Sequence, residues 1–290
     1  MSRAAVALAA LLSLWPAHGR AETPTATPRE GEEFEIRTSY ATRSGSDDGA
    51  SSSSNGRNAY VERVVAVRPD GVEVEFDLPS DTSAEDRKRV WQYPARVLRT
   101  PDGRLELLNQ AELAARIDRW LAAWKIPREA CGRWVFTWNA FKIECDPQSV
   151  LTLLEPIDLT LRSVTEGRPY RDPAAREAAP ITLQSRTPAG TTYVVTAALD
   201  ADAVRREMAE AEVVVGELMG QPVSKEAANE RFASVELEGT VTVTLETDAF
   251  GVVRRRTRLI EQRQKGRDGD VRSTRTEVVE RLPMEAPRAP

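Results

Sequence analysis

The chain has a single histidine, His18, among its 290 residues. This residue lies in an N-terminal stretch with the layout of a cleaved secretory signal, in which the positive Arg3 precedes an apolar run over 4–14 and small residues precede a cleavage site after Ala21. Cleavage there would leave a mature chain without any imidazole group. Ser-His-Asp catalysis, Cys-His catalysis and histidine-containing zinc sites would then be excluded.

Long hydrophobic runs are also scarce. The run over 4–14 is shorter than the ~18–20 apolar residues that span a bilayer, which weighs against a short membrane anchor, the alternative to a cleaved signal. No later segment is longer or more apolar. We therefore expect a periplasmic or secreted protein that does not span the membrane, with a cleaved signal peptide over 1–21, a flexible leader over 22–31 and a tail over 284–290.

Only two cysteines occur, Cys131 and Cys145. In an oxidising compartment an even number of cysteines indicates pairing, so a disulfide between these two is predicted. Free buried thiols are the alternative. A metal site would need two further ligands and a nucleophilic cysteine would need a base, and without histidine both readings are disfavoured.

Neither sign of charge dominates the composition, with 40 basic and 45 acidic residues and a formal net charge of −5. Loss of Arg3 and Arg20 with the signal would leave 38 basic residues against the same 45 acids, a charge of about −7. An acidic balance argues against binding to nucleic acid, whose recognition depends on neutralising phosphates.

Turn signals between alternating apolar and polar runs are frequent. Pro-X-Gly sequences at 69–71, 101–103 and 188–190 predict three hairpins. The C-terminal third predicts an antiparallel meander that turns at Asp248–Gly251 and Arg267–Asp270. A first strand is expected within 33–41. The run 44–56, rich in serine, glycine and aspartate, cannot bury apolar area and is expected to form a mobile loop.

Helical periodicity appears in three places. A helix preceded by Asn109 as N-cap and ended by Pro127 is predicted, another lies between Asp146 and Pro156, and a third begins after Asp200 and ends near Gly220. A short helix follows Ser224. The inner stripe of the third helix is expected to be formed by Val204, Met208, Ala211, Val215 and Leu218.

Because helices alternate with hairpins and not with single parallel strands, the pattern predicts an α+β fold. We expect a large curved antiparallel sheet of several hairpins, partly covered by two or three helices. Residues 32–283 are expected to form a single domain, or two packed halves that divide near 165–180.

Aromatic residues make up only 6 % of the chain, yet they are concentrated between residues 91 and 141. Such rings line a groove for an apolar ligand or form the densest part of a core. As ligand-binding candidates we take the tryptophans Trp91, Trp120, Trp124, Trp134 and Trp138.

A basic run lies on a predicted strand, where alternation places Arg254, Arg256 and Arg258 on one face. These three residues are candidates for contact with an anion or an acidic partner. The alternative is a solvated face that Glu261, Glu277 and Glu280 balance. No motif for a nucleophile, a metal or a bound phosphate occurs, so no catalytic residue, metal or cofactor is expected.

These observations favour an exported, non-catalytic binding protein that holds an apolar or amphipathic ligand, such as a hydrophobic small molecule or a lipid, against a concave sheet. One alternative is a structural or interaction module of the cell envelope with an envelope protein as partner, using the run 44–56 and the arginine strand as contact surfaces. Another is a carboxylate-based hydrolase, since 45 acids offer many carboxylate pairs.

Overall fold

The computed structural model describes residues 28–136, 140–160, 164–266 and 269–284. The predicted signal peptide and most of the predicted leader lie outside these residues, as do Trp138, two positions of the predicted turn near 267 and nearly all of the predicted tail.

Ten strands of the described chain form one open antiparallel sheet in the order β10-β11-β12-β13-β14-β1-β2-β3-β4-β5, and two short hairpins, β6-β7 and β8-β9, stand apart from it. The strands are β1 (Glu33–Ser46), β2 (Ser51–Arg68), β3 (Gly71–Asp77), β4 (Ala95–Arg99), β5 (Leu105–Leu107), β6 (Trp134–Phe136), β7 (Ala140–Lys142), β8 (Pro169–Tyr170), β9 (Ala179–Pro180), β10 (Thr182–Thr187), β11 (Gly190–Ala198), β12 (Glu236–Asp248), β13 (Val253–Gly266) and β14 (Gly269–Pro283).

Five α-helices occur within the same ranges. They are α1 (Ala84–Arg89), α2 (Gln110–Ala123), α3 (Ser149–Leu154), α4 (Ala201–Leu218) and α5 (Lys225–Ala233). None of the helices in the described chain is long and apolar enough to cross a membrane.

The predicted hairpins form where the turn residues indicate. The Pro-X-Gly sequences join β2 to β3, β4 to β5 and β10 to β11. At the turn between β12 and β13 the Asp248 carboxylate accepts hydrogen bonds from the backbone N–H groups of Phe250 and Val252, and Gly251 adopts a φ of 77°. Local turn chemistry therefore fixes much of the strand order.

One face of the sheet, here called the core face, carries the hydrophobic core. Alternation along β12 directs Val241, Val243 and Leu245 to this face, where all three are buried. Helix α2 covers the face with Leu113, Ile117 and Leu121, and α3 adds Val150 and Leu154. Each such side chain contributes roughly 1.5–3 kcal/mol when it is fully buried. The predicted α+β fold, a large antiparallel sheet partly covered by helices, is confirmed.

Asn109 stands at the N-cap position of α2 but does not cap the helix with its side chain. Its Oδ1 accepts a hydrogen bond of 2.9 Å from the backbone N–H of Arg96, and its Nδ2 donates to the carbonyl of Pro94. The side chain therefore fastens the start of α2 to β4. The predicted caps Asp200 and Ser224 do accept hydrogen bonds from the backbone, at 3.0 and 3.1 Å.

The run 44–56 is not a loop. Strand β1 extends to Ser46, β2 begins at Ser51, and only the turn 47–50 interrupts them. The hydroxyls of Ser44 and Ser52 lie 2.8 Å apart across the hairpin, and the Asp48 carboxylate organises the turn by accepting from the backbone of Ala50. Composition alone therefore predicts a loop wrongly here. Strand β14 pairs along the other side of β1 and satisfies its backbone groups, so the strand forms without burial of apolar side chains.

Candidate functional site

The two cysteines form the predicted disulfide. The sulfur atoms of Cys131 and Cys145 are bonded at 2.06 Å, with 5.6 Å between the Cα atoms. The bond links the end of a short 3-10 helix, Arg128–Ala130, to the segment that leads into α3. Neither sulfur is a free thiol, so these positions supply no nucleophile and no metal ligand.

The four described tryptophans lie in different environments. Trp91 is buried in the core, whereas Trp124 is 47 % exposed. The indole N–H of Trp120 donates to the carbonyl of Arg89 at 3.1 Å, and that of Trp124 donates to the carbonyl of Lys88 at 3.4 Å. These two rings therefore satisfy carbonyl groups at the C-terminal end of α1, which is a structural role.

Trp134 is half-buried at the start of β6. Its neighbours Cys131 and Val135 are partly buried and pack against the core cluster. Trp138, the fifth candidate, lies outside the described residues. The role of the tryptophans as ligand contacts stays a prediction.

The three arginines of β13 lie on the core face, in register with buried residues of β12 and β14. Arg254 donates to the carboxylate of Asp248 at 2.8 Å, and Arg256 donates to the carbonyl of Pro156. Arg258 donates twice to Asp172, at 2.8 Å each, and once to Glu277 at 2.9 Å. All three guanidinium groups are thus engaged by groups of the same chain.

The ion pair between Arg258 and Glu277 shifts the pKa of both groups. Burial lowers the pKa of Arg258, but the hydrogen bonds and negative charges of Asp172 and Glu277 outweigh burial and raise it. Burial raises the pKa of Glu277, but hydrogen bonding from Arg258 and the charge of Arg275 bring it below its usual range. Both groups are held in their charged forms, so neither is poised to exchange protons near neutral pH.

A second charged cluster is buried at the centre of the core face. Arg281 Nη2 lies 2.8 Å from Glu62 Oε1, and Arg99 Nη1 lies 3.7 Å from the same oxygen. Arg99 also faces Asp158, with Nη2 2.9 Å from Oδ1. The cluster contains two carboxylates and two guanidinium groups, so its formal charge is balanced.

The charge balance of this cluster matters for the predicted alternative of a carboxylate-based hydrolase. The carboxylates of Glu62, which is buried, and Asp158, which is partly buried, both accept hydrogen bonds from arginines that occupy oxygens a substrate would need. In the part of the chain that the structure describes, no group of three His, Cys, Asp or Glu side chains is placed to hold a metal ion.

A shallow cleft opens beside this cluster, between the β2-β3 and β4-β5 turns. Its volume is about 290 Å³, and Arg99, Gly71 and Thr160 contribute to its walls. That volume lies at the lower limit of small-molecule sites, which measure roughly 300–1,000 Å³. None of the described tryptophans borders it.

Five strands of the sheet continue beyond the core. This extension, here called the arm, comprises residues 38–46 of β1, 51–59 of β2, 236–240 of β12, 261–266 of β13 and 269–277 of β14. None of its side chains whose exposure is described is buried, in contrast to Ile36, Val64 and Val279 on the same strands. The arm is rich in serine, threonine, asparagine and glutamine, so it presents hydrogen-bonding groups on both faces.

Within the part of the chain that the structure describes, one side of the arm is a strand with no partner on its outer side. Strand β2 pairs with β1 from Ser51 to Arg63, but its pairing with β3 begins only at Val61. Because Ser46 N–H donates to the Ala50 carbonyl and Val64 N–H donates to that of Glu32, the even-numbered residues of β2 bond toward β1. The odd-numbered positions 51, 53, 55, 57 and 59 therefore direct their backbone N–H and C=O groups away from β1, and this stretch is here called the free edge.

The outer face of the arm, opposite the core face, carries arginines beside the free edge. Within the described chain no hydrogen bond or ion pair engages the guanidinium groups of Arg43 and Arg57, nor that of Arg272 on β14. On the core face, the ring of Tyr40 lies against Gly56, and Arg275 is 5.9 Å from its centroid. Neither the outer-face arginines nor the contacts of Tyr40 were identified from the sequence, although strict alternation in 51–60 places Arg57 on the face opposite Tyr60.

No protein-family model matches the chain, and no curated protein matches it significantly. Among solved structures, a conserved protein of unknown function with a hot dog fold from Alicyclobacillus acidocaldarius aligns over 90 % of this chain and 82 % of its own length, at 13 % identity and a TM-score of 0.09. At that TM-score the likeness carries no argument about fold or function.

Proposed function

We propose that the protein is an exported, non-catalytic interaction protein and that the arm is its contact surface. The observation that carries the proposal is a five-stranded extension whose described side chains are all at least partly exposed and whose edge strand has, among the described strands, no partner on its outer side from Ser51 to Tyr60. Strands that extend past the core gain little from hydrophobic burial, which is the dominant favourable contribution to folding. Their regular register indicates a surface suited to contact with another molecule.

Export is supported by two features. The disulfide between Cys131 and Cys145 is of the kind that persists in oxidising compartments, and the N-terminal pattern is that of a secretory signal. A periplasmic or extracellular setting, and a protein of the cell envelope as partner, both follow from the proposal.

The apolar or amphipathic ligand expected from the sequence remains a second proposal. Its support is the 290 Å³ cleft, whose walls include Pro69, Val72 and Pro101. The core face offers less room than expected, because α2, α3 and the segments 156–160 and 164–181 already pack on it. Binding of a hydrophobic fluorophore that is displaced by fatty acid, and that is lost in Val72→Glu, would favour this second function.

Photo-crosslinking in whole cells tests the first proposal. A benzophenone amino acid is placed at Ser53 on the free edge and, as a matched control, at the exposed Glu217 of α4. We expect one discrete crosslinked species from position 53 and none from position 217. The proposal fails if position 53 yields no species or the same smear as position 217.

A variant with a shortened arm gives a second test of the same proposal. Replacing 43–53 by a two-residue Asn-Gly turn removes the tip of the hairpin while keeping the register of β1 and β2, because Thr42 and Ser54, which then flank the turn, are a hydrogen-bonded pair. The variant should retain its unfolding midpoint and lose the crosslink from an unaltered position such as Arg57. A retained crosslink would place the contact surface elsewhere.

A further inference from the structure

The sheet has three exposed edges, and two of them are protected. Strand β10 is six residues long with a register shift between Leu183 and Ser185, and β5 has only three residues. Short edge strands and bulges are devices that keep a sheet from pairing with other chains.

The free edge of β2 lacks these devices. Its pairing with β1 runs from Glu33↔Arg63 to Gly45↔Ser51 without a register shift, and the stretch 51–59 contains no proline. Five outward-directed residues offer backbone donors and acceptors over roughly 30 Å, given the rise of about 3.3 Å per residue. A ready-made template of this length accepts an added strand.

Charge indicates what kind of strand the edge accepts. Arg57 lies on the free edge itself, and Arg43 lies one strand behind it, opposite Ser53. Both point to the outer face, and in the described chain neither has an acidic partner. Asp47 and Asp48 are in the turn beyond the end of the edge, and Glu261 lies two strands behind Arg43 on the same face, with Thr274 between them. A strand with carboxylates on alternate residues would place them beside these arginines.

A second copy of this chain fits the edge less well. Antiparallel self-pairing about Asn55 would set Arg57 of each copy opposite Ser53 of the other, and therefore beside the other copy's Arg43. Like charges brought together across strands are destabilising. The charge pattern therefore favours a different molecule over self-association.

We propose that the free edge of β2 binds an extended acidic segment of a partner protein by strand addition, with backbone hydrogen bonds at positions 51–59 and carboxylates directed to Arg57 and Arg43. This inference rests on the proposed function and names the partner's chemistry. Affinity comes from the backbone ladder, and the arginines select acidic over neutral or basic segments.

The direct test uses a fluorescent ten-residue peptide of alternating Thr and Glu with blocked ends, and matched Thr/Ser and Thr/Lys peptides. Fluorescence anisotropy with the full mature chain should show binding of the Thr/Glu peptide, weaker binding of Thr/Ser and none of Thr/Lys, and added salt should weaken the Thr/Glu complex. Amide exchange should slow at the odd-numbered positions 51–59 and remain unchanged at β10.

Two variants separate the backbone contribution from the charge contribution. Asn55→Pro removes one outward N–H without touching a bond to β1 and should weaken Thr/Glu binding about tenfold, the value of roughly one net hydrogen bond at the upper end of its range. Asn55→Thr keeps the N–H and should bind as the wild type does. Arg57→Ser should weaken binding about twofold to fivefold at low salt and reduce the preference over Thr/Ser, because Arg43 remains.

The inference is overturned if the Thr/Glu peptide does not bind, if Thr/Lys binds equally well, or if Asn55→Pro binds unchanged while its unfolding midpoint matches that of Asn55→Thr. Concentration-dependent dimers that Asn55→Pro abolishes would assign the edge to a second copy and also overturn it. A crosslink from Ser53 in cells that survives Asn55→Pro would leave the proposed function standing and remove strand addition. Absence of any crosslink from Ser53 would remove the proposed function itself.

Discussion

Arg281 and Glu62 are 219 positions apart in the sequence, and their side chains form a buried ion pair on the core face, with Nη2 of the arginine 2.8 Å from Oε1 of the glutamate. The pair connects β14 to β2 across the intervening β1, and the guanidinium lies 3.3 Å from the centroid of the Phe34 ring. The C-terminal strand is thus fixed to the N-terminal hairpin by charge and by stacking.

Glu62→Gln is expected to destabilise the protein strongly. The substitution leaves Arg99 and Arg281 buried with Asp158 as the remaining acid, and an uncompensated buried charge costs about 3–5 kcal/mol of unfolding free energy. Urea unfolding measures the loss. An exposed pair serves as control, since Glu236→Gln removes the partner of Lys265 and should cost under about 1 kcal/mol.

The double variant Glu62→Gln/Arg281→Met restores the charge balance and should be more stable than the sum of the two single changes predicts. Equal effects of Glu62→Gln and Glu236→Gln would show that the buried cluster is not a significant source of stability.

The stability should fall in acid partly through Glu277. Its pKa is held below the usual value of 4.5, so the folded state releases this proton more readily than the unfolded state does. The stabilisation is fully present above the unfolded pKa and is lost as the pH falls through the folded pKa. The difference in urea midpoint between the wild type and Glu277→Gln should therefore be largest at pH 6 and shrink as the pH falls below 4.5.

The matched control for that series is Glu217→Gln, because in the described chain the Glu217 side chain forms no ion pair on the exposed face of α4. Its difference from the wild type should be small and independent of pH. A constant difference for Glu277→Gln across the same range would contradict the role assigned to its pairing with Arg258.

Gly71 occupies the start of β3 with a φ of 152°, and a Cβ there would overlap the backbone carbonyl oxygen of Arg99. Gly71→Ala should therefore destabilise the protein by about 1–3 kcal/mol, since neither the conformation nor the backbone contact can relax easily. Gly45→Ala is the control, because a Cβ at that position would meet only the Ala50 carbonyl at 3.8 Å. Thermal unfolding of the two variants should differ clearly, and matching midpoints would refute the steric argument.

Local signals predicted the hairpins and most helices because the residues responsible act within a few positions. Proline and glycine set the turns, and Asp200 and Ser224 cap α4 and α5 through their own side chains. The inner stripe predicted for α4 is confirmed only in part, because Val204 packs against the core but Ala211 and Val215 are exposed. The buried positions of the helix are Ala201, Ala209 and Gly216. Small residues lie inward there, since the helix packs closely, and hydrophobicity alone does not show this.

The arm is formed by pairing between strands that are distant in the sequence, whereas the composition of this region predicts a loop. Residues 44–56 read as a loop because serine and glycine bury nothing, but pairing of β14 with β1 keeps them in the sheet. Alternation placed Arg254, Arg256 and Arg258 on one face, as the structure has them, yet their partners Asp172 and Pro156 lie about 85–100 positions away. A single sequence carries no signal for such pairings.

Removal of the disulfide should lower stability without altering the fold. Cys131 and Cys145 close a loop with a sequence separation of 14, for which loss of the constraint on the unfolded chain costs about 3 kcal/mol. The Cys131→Ser/Cys145→Ser variant and the reduced wild type should therefore show the same decrease in urea midpoint, because both lack the bond and differ only by two sulfur atoms.

The exported product supplies the complementary measurement. Its intact mass should correspond to a chain that begins at Glu22 and lacks two hydrogens relative to the reduced form. A product with two free thiols, or a variant as stable as the oxidised wild type, would show that the disulfide does not form or does not contribute to stability.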